Sequence, residues 1–148
     1  MFLNDLLEKL DYTILQGDVD TPITNLIYDS RKVKKGSVFV CIDGAVTDGH
    51  SYIEDVSKKG ATAIIVEKEL EFPQGLTVIK VSDTRKALAR MSAAYFDYPA
   101  DKLTTIGITG TKGKTTTNYM IKSILESIGV KTGLIGTIEM IIGDERIP

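Results

Sequence analysis

A glycine-rich segment in the last third of the chain carries the residues best suited to chemistry. It reads Gly107-Ile108-Thr109-Gly110-Thr111-Lys112-Gly113-Lys114-Thr115-Thr116. Glycines at positions 110 and 113 let the backbone turn tightly, so that its N–H groups can approach phosphate oxygens. Lys114 adds a mobile cation for β- and γ-phosphates, and the hydroxyl of Thr115 can hold Mg²⁺. The spacing therefore predicts a phosphate-binding loop.

This loop departs at one position from the usual phosphate-loop pattern. That pattern has a glycine five residues before the glycine of Gly-Lys-Thr, and here the position is Ile108. A glycine-rich turn with a solvent-facing lysine is the alternative. The context favours phosphate binding, because a predicted strand (residues 103–108) precedes the loop and a predicted helix (residues 115–128) follows it. The candidate nucleotide-binding residues are Gly110, Thr111, Lys112, Gly113, Lys114, Thr115 and Thr116, with Lys114 as the catalytic residue and Thr115 as the metal ligand.

Strands and helices alternate along the chain. Apolar spacing predicts helices over residues 3–10, 52–59 and 83–95, and strands over residues 23–28, 38–42, 63–66 and 77–81. The segment 97–101, Asp-Tyr-Pro-Ala-Asp, interrupts this pattern and predicts a domain boundary. After it, the phosphate loop, its helix and a strand over residues 132–135 predict one βαβ unit. We therefore expect an α/β protein with a small domain over residues 1–100 and the incomplete opening of a second domain over residues 101–148.

Composition narrows the class of protein. The 148 residues are 43% hydrophobic and 26% charged, which is typical of a globular chain. The net charge of -2 gives no overall attraction to nucleic acid or to an anionic membrane. No apolar stretch approaches the roughly 20 residues that span a bilayer, and no secretory signal is visible. We expect a cytoplasmic, monomeric protein without a nucleic-acid or membrane partner.

The ordered succession of motifs resembles the Mur ligases, which build the peptide stem of peptidoglycan. The phosphate loop is similar to theirs, and the first domain agrees with their uridine-nucleotide domain. The motifs that carry this similarity are Tyr28-Asp29-Ser30-Arg31, Gly36-Ser37-Val38-Phe39-Val40 and Asp48-Gly49-His50-Ser51-Tyr52-Ile53. Residues 129–138 look like the branch that adds the third amino acid of the stem. The branch acting at the fifth position is the alternative, and so is a nucleotide-binding module without chemistry.

The resemblance implies an ATP-dependent, amide-forming ligase. In that family ATP phosphorylates the terminal carboxylate of UDP-MurNAc-L-Ala-D-Glu, and the amine of an incoming amino acid displaces the phosphate. The resemblance also implies that Ser30 and the loop residues Ala45, Val46 and Thr47 bind the uridine nucleotide. For Asp29-Ser30-Arg31, a capped turn with an internal ion pair is the alternative.

The single histidine, His50, is predicted to help end the loop before it rather than to act as a base. The family's remaining parts are a glutamate that completes Mg²⁺ coordination, a modified lysine and an amino-acid-binding domain. They are expected beyond residue 148, so we expect the 148 residues alone to be inactive.

Overall fold

The computed structural model describes residues 1–147, which form two compact units that divide between Leu103 and Thr104. Each unit has its own sheet, of five strands in the first and three in the second.

The first unit is built on a mixed sheet. Its strands are β1 (Thr13–Gln16), β2 (Asn25–Ile27), β3 (Ser37–Val40), β4 (Ala63–Val66) and β5 (Thr77–Lys80). Their order across the sheet is β1-β5-β4-β3-β2; the last four run parallel, and β1 pairs antiparallel with β5. The four parallel strands confirm the sequence prediction. β1 was not predicted, because its residues are exposed or half-buried and show no apolar alternation.

Buried side chains alternate between the two faces of this sheet. In β3, Val38 and Val40 pack into the core on one face, whereas Phe39 and the adjacent Cys41 pack into the core on the other. β4 repeats the alternation, with all four of its residues buried. Because side chains in a strand point alternately to opposite faces, such continuous apolar runs predict a sheet that is covered on both sides.

Short helices provide that cover. α1 (Leu3–Leu7) and α3 (Thr84–Tyr95) contribute to the core on one face, and α2 (Ile53–Lys58) contributes to the core on the other. The side chain of Asp83 accepts a hydrogen bond of 2.9 Å from the N–H of Lys86, which caps the start of α3. The helix predicted over residues 3–10 is present but ends at Leu7.

The second unit has one helix and a small antiparallel sheet. The helix is α4 (Lys114–Ser127), and the strands β6 (Gly133–Ile135), β7 (Met140–Ile142) and β8 (Glu145–Ile147) pair in chain order. Among its described residues only Leu134 and Ile141 are buried apolar side chains. α4 is 14 residues long, and no helix within residues 1–147 is long and apolar enough to cross a membrane.

The prediction of a strand over residues 103–108 is wrong. A strand needs a neighbour that takes up its backbone hydrogen bonds, and this segment pairs with none of the strands in the described part of the chain. The predicted βαβ unit is therefore not formed there, and β6 enters an antiparallel sheet instead. The α/β class itself is confirmed by the helix-covered parallel strands of the first unit.

Candidate nucleotide and substrate sites

The glycine-rich loop leads directly into the N-terminus of α4. Gly113, the residue before the helix, has a φ of +79°, a left-handed conformation that glycine adopts at little cost. No side chain caps this end of the helix. Within residues 1–147, the N–H groups of residues 110–113 donate no backbone hydrogen bond, and those of a first helical turn have no partner inside the helix. This arrangement can bind an anion, which the positive end of α4 also attracts.

Lys114 lies across the same loop. Its Nζ atom donates a hydrogen bond of 2.6 Å to the carbonyl oxygen of Gly110. The hydroxyl of Thr117, in the first turn of α4, donates to the carbonyl of Gly113 at 3.0 Å and so ties the helix to the last residue of the loop. An ammonium group has three N–H donors, and one bond to Gly110 leaves two for phosphate oxygens. This geometry supports the role predicted for Lys114, which stays a prediction.

The donor set fits a magnesium ion that is held mainly by a nucleotide. Thr115 is half-buried in the first turn of α4, whereas Thr111, Lys112 and Thr116 are exposed. No group of three or more His, Cys, Asp or Glu side chains in the described residues could hold a metal ion. Mg²⁺ is commonly bound through one or two protein oxygens together with phosphate oxygens and water. A single hydroxyl at Thr115 is compatible with that kind of site.

In the first unit, the predicted substrate residues follow neighbouring parallel strands. Ser30 comes three residues after the end of β2, and Ala45, Val46 and Thr47 lie in the loop after β3. β2 and β3 are in register, with Ile27 paired to Phe39, so both segments leave the sheet at its carboxyl edge. Ligands of open α/β sheets bind outside this edge. The structure therefore brings all four predicted substrate residues to the edge where a ligand is expected.

Ser30 begins a short 3₁₀ turn that is held by its neighbours. The side chain of Asp29 accepts the N–H of Arg31 at 3.0 Å and pairs with its guanidinium at 2.8 Å. These hydrogen bonds from Arg31 lower the pKa of Asp29 to about 2. The carbonyl of Ser30 accepts a bond of 3.1 Å from Lys59 Nζ. The capped turn with an internal ion pair is thus formed, and it holds Ser30 half-buried at the edge of the sheet.

The loop after β3 folds back on itself. Asp43 and Asp48 form an isolated antiparallel bridge, and the N–H of Gly44 donates to the carbonyl of Thr47 at 3.0 Å. The three candidate residues Ala45, Val46 and Thr47 occupy the exposed tip. The side chain of Val46 is the extreme case, at 95% exposure. The tip can therefore contact a ligand without any rearrangement of the core.

Two residues beside this loop contact Asp48, its last residue; the sequence predicted that His50 helps to end the loop but assigned no role to Lys68. His50 is 6% exposed, with Nδ1 2.6 Å from Asp48 Oδ1, and Lys68 Nζ lies 2.5 Å from Asp48 Oδ2. Hydrogen bonds from Lys68 and from His50 hold the pKa of Asp48 well below its usual range. Asp48, with Asp43, raises the pKa of Lys68. Lys68 is the second residue after β4, the strand next to β3, so only the strand order could have indicated its position.

Two protein-family models match the chain. Residues 22–96 match the model described as "Mur ligase family, catalytic domain", and residues 108–147 match "Mur ligase middle domain". A relative from Clostridium perfringens (strain 13 / Type A) is named UDP-N-acetylmuramoyl-L-alanyl-D-glutamate--2,6-diaminopimelate ligase. It is 51% identical over 147 residues, which is 99% of this chain and 30% of the relative. The chain therefore spans less than a third of the length of that relative.

Solved structures give a similar result. A structure of a UDP-N-acetylmuramoyl-L-alanyl-D-glutamate--2,6-diaminopimelate ligase has a TM-score of 0.75 at 23% identity, over 100% of this chain and 30% of that one. At that identity the likeness shows the fold alone. The MurF ligase from Thermotoga maritima, solved in complex with ADP, has a TM-score of 0.52 at 27% identity, over 76% of this chain and 25% of that one.

Proposed function

Because the chain belongs to the Mur ligase family, we propose that it is the N-terminal part of an ATP-dependent ligase. The ligase adds the third amino acid to UDP-MurNAc-L-Ala-D-Glu in peptidoglycan synthesis. The observation that carries the proposal is the 51% identity, over almost the whole chain, to a relative named as the diaminopimelate-adding ligase. The incoming amino acid is accordingly 2,6-diaminopimelate.

In this proposal each domain binds a different substrate. Residues 1–100 form the domain that binds the uridine nucleotide, and residues 101–148 open the domain that binds ATP. The two family matches, which end at residue 96 and begin at residue 108, fall on either side of the Pro99 segment and support this division.

The phosphate loop would act by charge and position rather than by covalent chemistry. The substrate's terminal carboxylate would take the γ-phosphoryl group of ATP, giving an acyl phosphate and releasing ADP. The amine of the amino acid would then displace phosphate and lose a proton as the amide forms. Lys114 and the N–H groups from Gly110 to Thr116 bind the phosphate oxygens and offset the charge that builds up on them. The hydroxyl of Thr115 would be one ligand of the accompanying Mg²⁺.

The first unit would hold the other end of the substrate. Ser30 and the tip residues Ala45, Val46 and Thr47 contact the uridine nucleotide at the carboxyl edge of the sheet. Exposed backbone at the tip can supply N–H and carbonyl partners, and Val46 adds an apolar contact. We also propose that the protein acts as a cytoplasmic monomer.

A second candidate function is that of the ligases that act at the fifth position of the peptide stem, the branch that includes MurF. The MurF structure from Thermotoga maritima is similar to this chain at 27% identity, about half of the value for the diaminopimelate-adding relative. A nucleotide-binding module without chemistry is the third candidate. The three candidate functions differ in which pair of substrates, if any, supports turnover.

The test is an assay of phosphate release by the longer gene product that contains this chain. We expect turnover with ATP, UDP-MurNAc-L-Ala-D-Glu and diaminopimelate, and none with the tripeptide substrate and D-Ala-D-Ala. Lys114→Ala should lower the rate by about 10²-fold or more, because a donor aimed at developing charge is lost. Lys131→Ala, which removes an exposed lysine elsewhere in the second unit, is the matched control. Turnover only with D-Ala-D-Ala would favour the second candidate, and turnover with neither pair would favour the third.

A further inference from the structure

A cluster of polar side chains joins three segments at the carboxyl edge of the first sheet. Its centre is His50, whose Nδ1 lies 2.6 Å from Asp48 Oδ1 and whose Nε2 accepts the backbone N–H of Glu67 at 3.1 Å. Because Nε2 accepts a peptide N–H, the proton of the neutral ring is on Nδ1 and is donated to Asp48. The ring therefore ties the end of the β3 loop to the end of β4.

Lys68 closes the β3 loop from outside. Its ammonium group reaches Asp43 Oδ2 at 3.2 Å and Asp48 Oδ2 at 2.5 Å, the first and last residues of the loop. The backbone bond from Gly44 to Thr47 closes the same loop from within. One side chain thus spans both ends of the segment that presents the tip residues.

The start of α3 completes the cluster. The carboxylate of Glu67 accepts the N–H of Thr84 at 2.6 Å and its hydroxyl at 2.7 Å, and Thr84 is fully buried. Arg85 then donates to the carbonyl of Asp43 at 2.9 Å. Hydrogen bonds thus connect the loop to the end of β4 through Lys68, the end of β4 to α3 through Glu67, and α3 back to the loop through Arg85. The loop is therefore held against two rigid elements, β4 and α3.

We infer that this cluster, Asp43, Asp48, His50, Glu67, Lys68 and Arg85, positions the loop for the uridine nucleotide. The inference rests on the proposed function. The tip residues are exposed, and Val46 at 95% exposure receives no support from the core. The order of the tip must then come from polar contacts at its base. Lys68, His50 and Arg85 are positioning residues, which act through the loop and do not touch the nucleotide.

The physical consequence is an affinity that depends on the fraction of time the loop is ordered. If a loop without its clamp is ordered about a tenth of the time, the Kd for its ligand rises about tenfold. Stability should change much less for Lys68, because its side chain is 45% exposed and exposed ion pairs contribute little to folding.

The first test replaces Lys68 by methionine, which keeps most of the aliphatic stem and removes the charge. The 148-residue chain is titrated with UDP-MurNAc-L-Ala-D-Glu, and the order of residues 44–47 is followed by ¹⁵N heteronuclear NOE. We expect Lys68→Met to raise the Kd about tenfold and to mobilise residues 44–47, with little change in Tm. Lys58→Met is the matched control, because Lys58 lies on α2 and only its 3.9 Å pair with Glu54 is lost.

The second test separates the two bonds of His50. In His50→Asn the amide can still donate to Asp48, and in His50→Gln the longer amide can still accept from Glu67. Because the ring ties the loop to the end of β4 only when both bonds are formed, a positioning role predicts that each variant loses more affinity than its loss of Tm accounts for. A purely structural role predicts that affinity follows Tm in both variants.

The outcomes separate this inference from the proposed function. The inference is overturned, and the proposed function stays intact, if the wild-type chain binds the uridine substrate and Lys68→Met changes neither the Kd nor the order of residues 44–47. Loss of affinity only in proportion to loss of Tm also overturns it. Failure of the wild-type chain to bind the uridine substrate at all counts against the proposed function, and the inference falls with it.

Discussion

Truncation of one buried isoleucine should show where the stability of this chain resides. Ile64 lies within β4, paired to β3 on one side and to β5 on the other, and is fully buried. Its neighbours are held by the sheet and cannot collapse into the space that the lost carbons leave. We therefore expect Ile64→Ala to lower the free energy of unfolding by about 2–5 kcal/mol, a large part of the roughly 5–15 kcal/mol of a typical domain.

The same substitution on α4 is the control. Ile124 is 63% exposed, so Ile124→Ala leaves no cavity and should change the free energy of unfolding by less than about 0.5 kcal/mol. Urea unfolding of both variants, followed by far-UV circular dichroism, gives the two values under the same conditions. Equal losses would refute the reasoning, because they would require Ile124 to be packed in a core.

Three further predictions concern the pieces of the chain. Residues 1–100 expressed alone should unfold in one cooperative thermal transition, because both cores of the first unit lie within them; a protease-sensitive product without a transition would mean that the boundary near Pro99 is misplaced. The 148-residue chain should bind ATP–Mg²⁺ at about millimolar Kd, or about 4 kcal/mol, with similar shifts at residues 110–116 for GTP and triphosphate; micromolar binding with a preference for adenine would contradict this. With UDP-MurNAc-L-Ala-D-Glu, ATP and a panel of amino acids, the same chain should release no more phosphate than its Lys114→Ala variant, since catalytic groups that act together lose most of their effect when partners are absent.

The first unit was largely predictable because its signals are local. Val38 to Cys41 and residues 63–66 are continuous apolar runs, and such runs predict strands buried on both faces. The cap at Asp83 and the stop at Gly60, with a φ of +92°, are equally local. Whether a segment is paired is not local, which explains both the missed strand β1 and the wrong strand at residues 103–108. The dipeptide Gly143-Asp144, which follows the apolar residues 140–142, is a local hairpin signal for β7 and β8.

The candidate sites divide in the same way. The phosphate loop is contiguous in sequence, so its glycines, lysine and threonine could be found by spacing alone. The candidate substrate edge is assembled from segments that follow different strands, and Ser30 and the 45–47 tip were predicted only through the resemblance to a family. Lys68 lies 20 residues from Asp48, and Glu67 lies 17 residues from His50. Their role depends on β4 lying next to β3, which spacing does not reveal.

The central claim is that this chain carries a uridine-substrate site at the carboxyl edge of the first sheet and a separate phosphate site at the start of α4. Amide-shift titration of the ¹⁵N-labelled 148-residue chain tests it most directly, with UDP-MurNAc-L-Ala-D-Glu added first and ATP–Mg²⁺ second. The account predicts that the first ligand shifts Ser30 and residues 44–47, that the second shifts residues 110–116, and that each leaves the other set unchanged. Shifts by the uridine substrate confined to the α4 loop, or no shift at Ser30 and residues 44–47 at saturation, would contradict it.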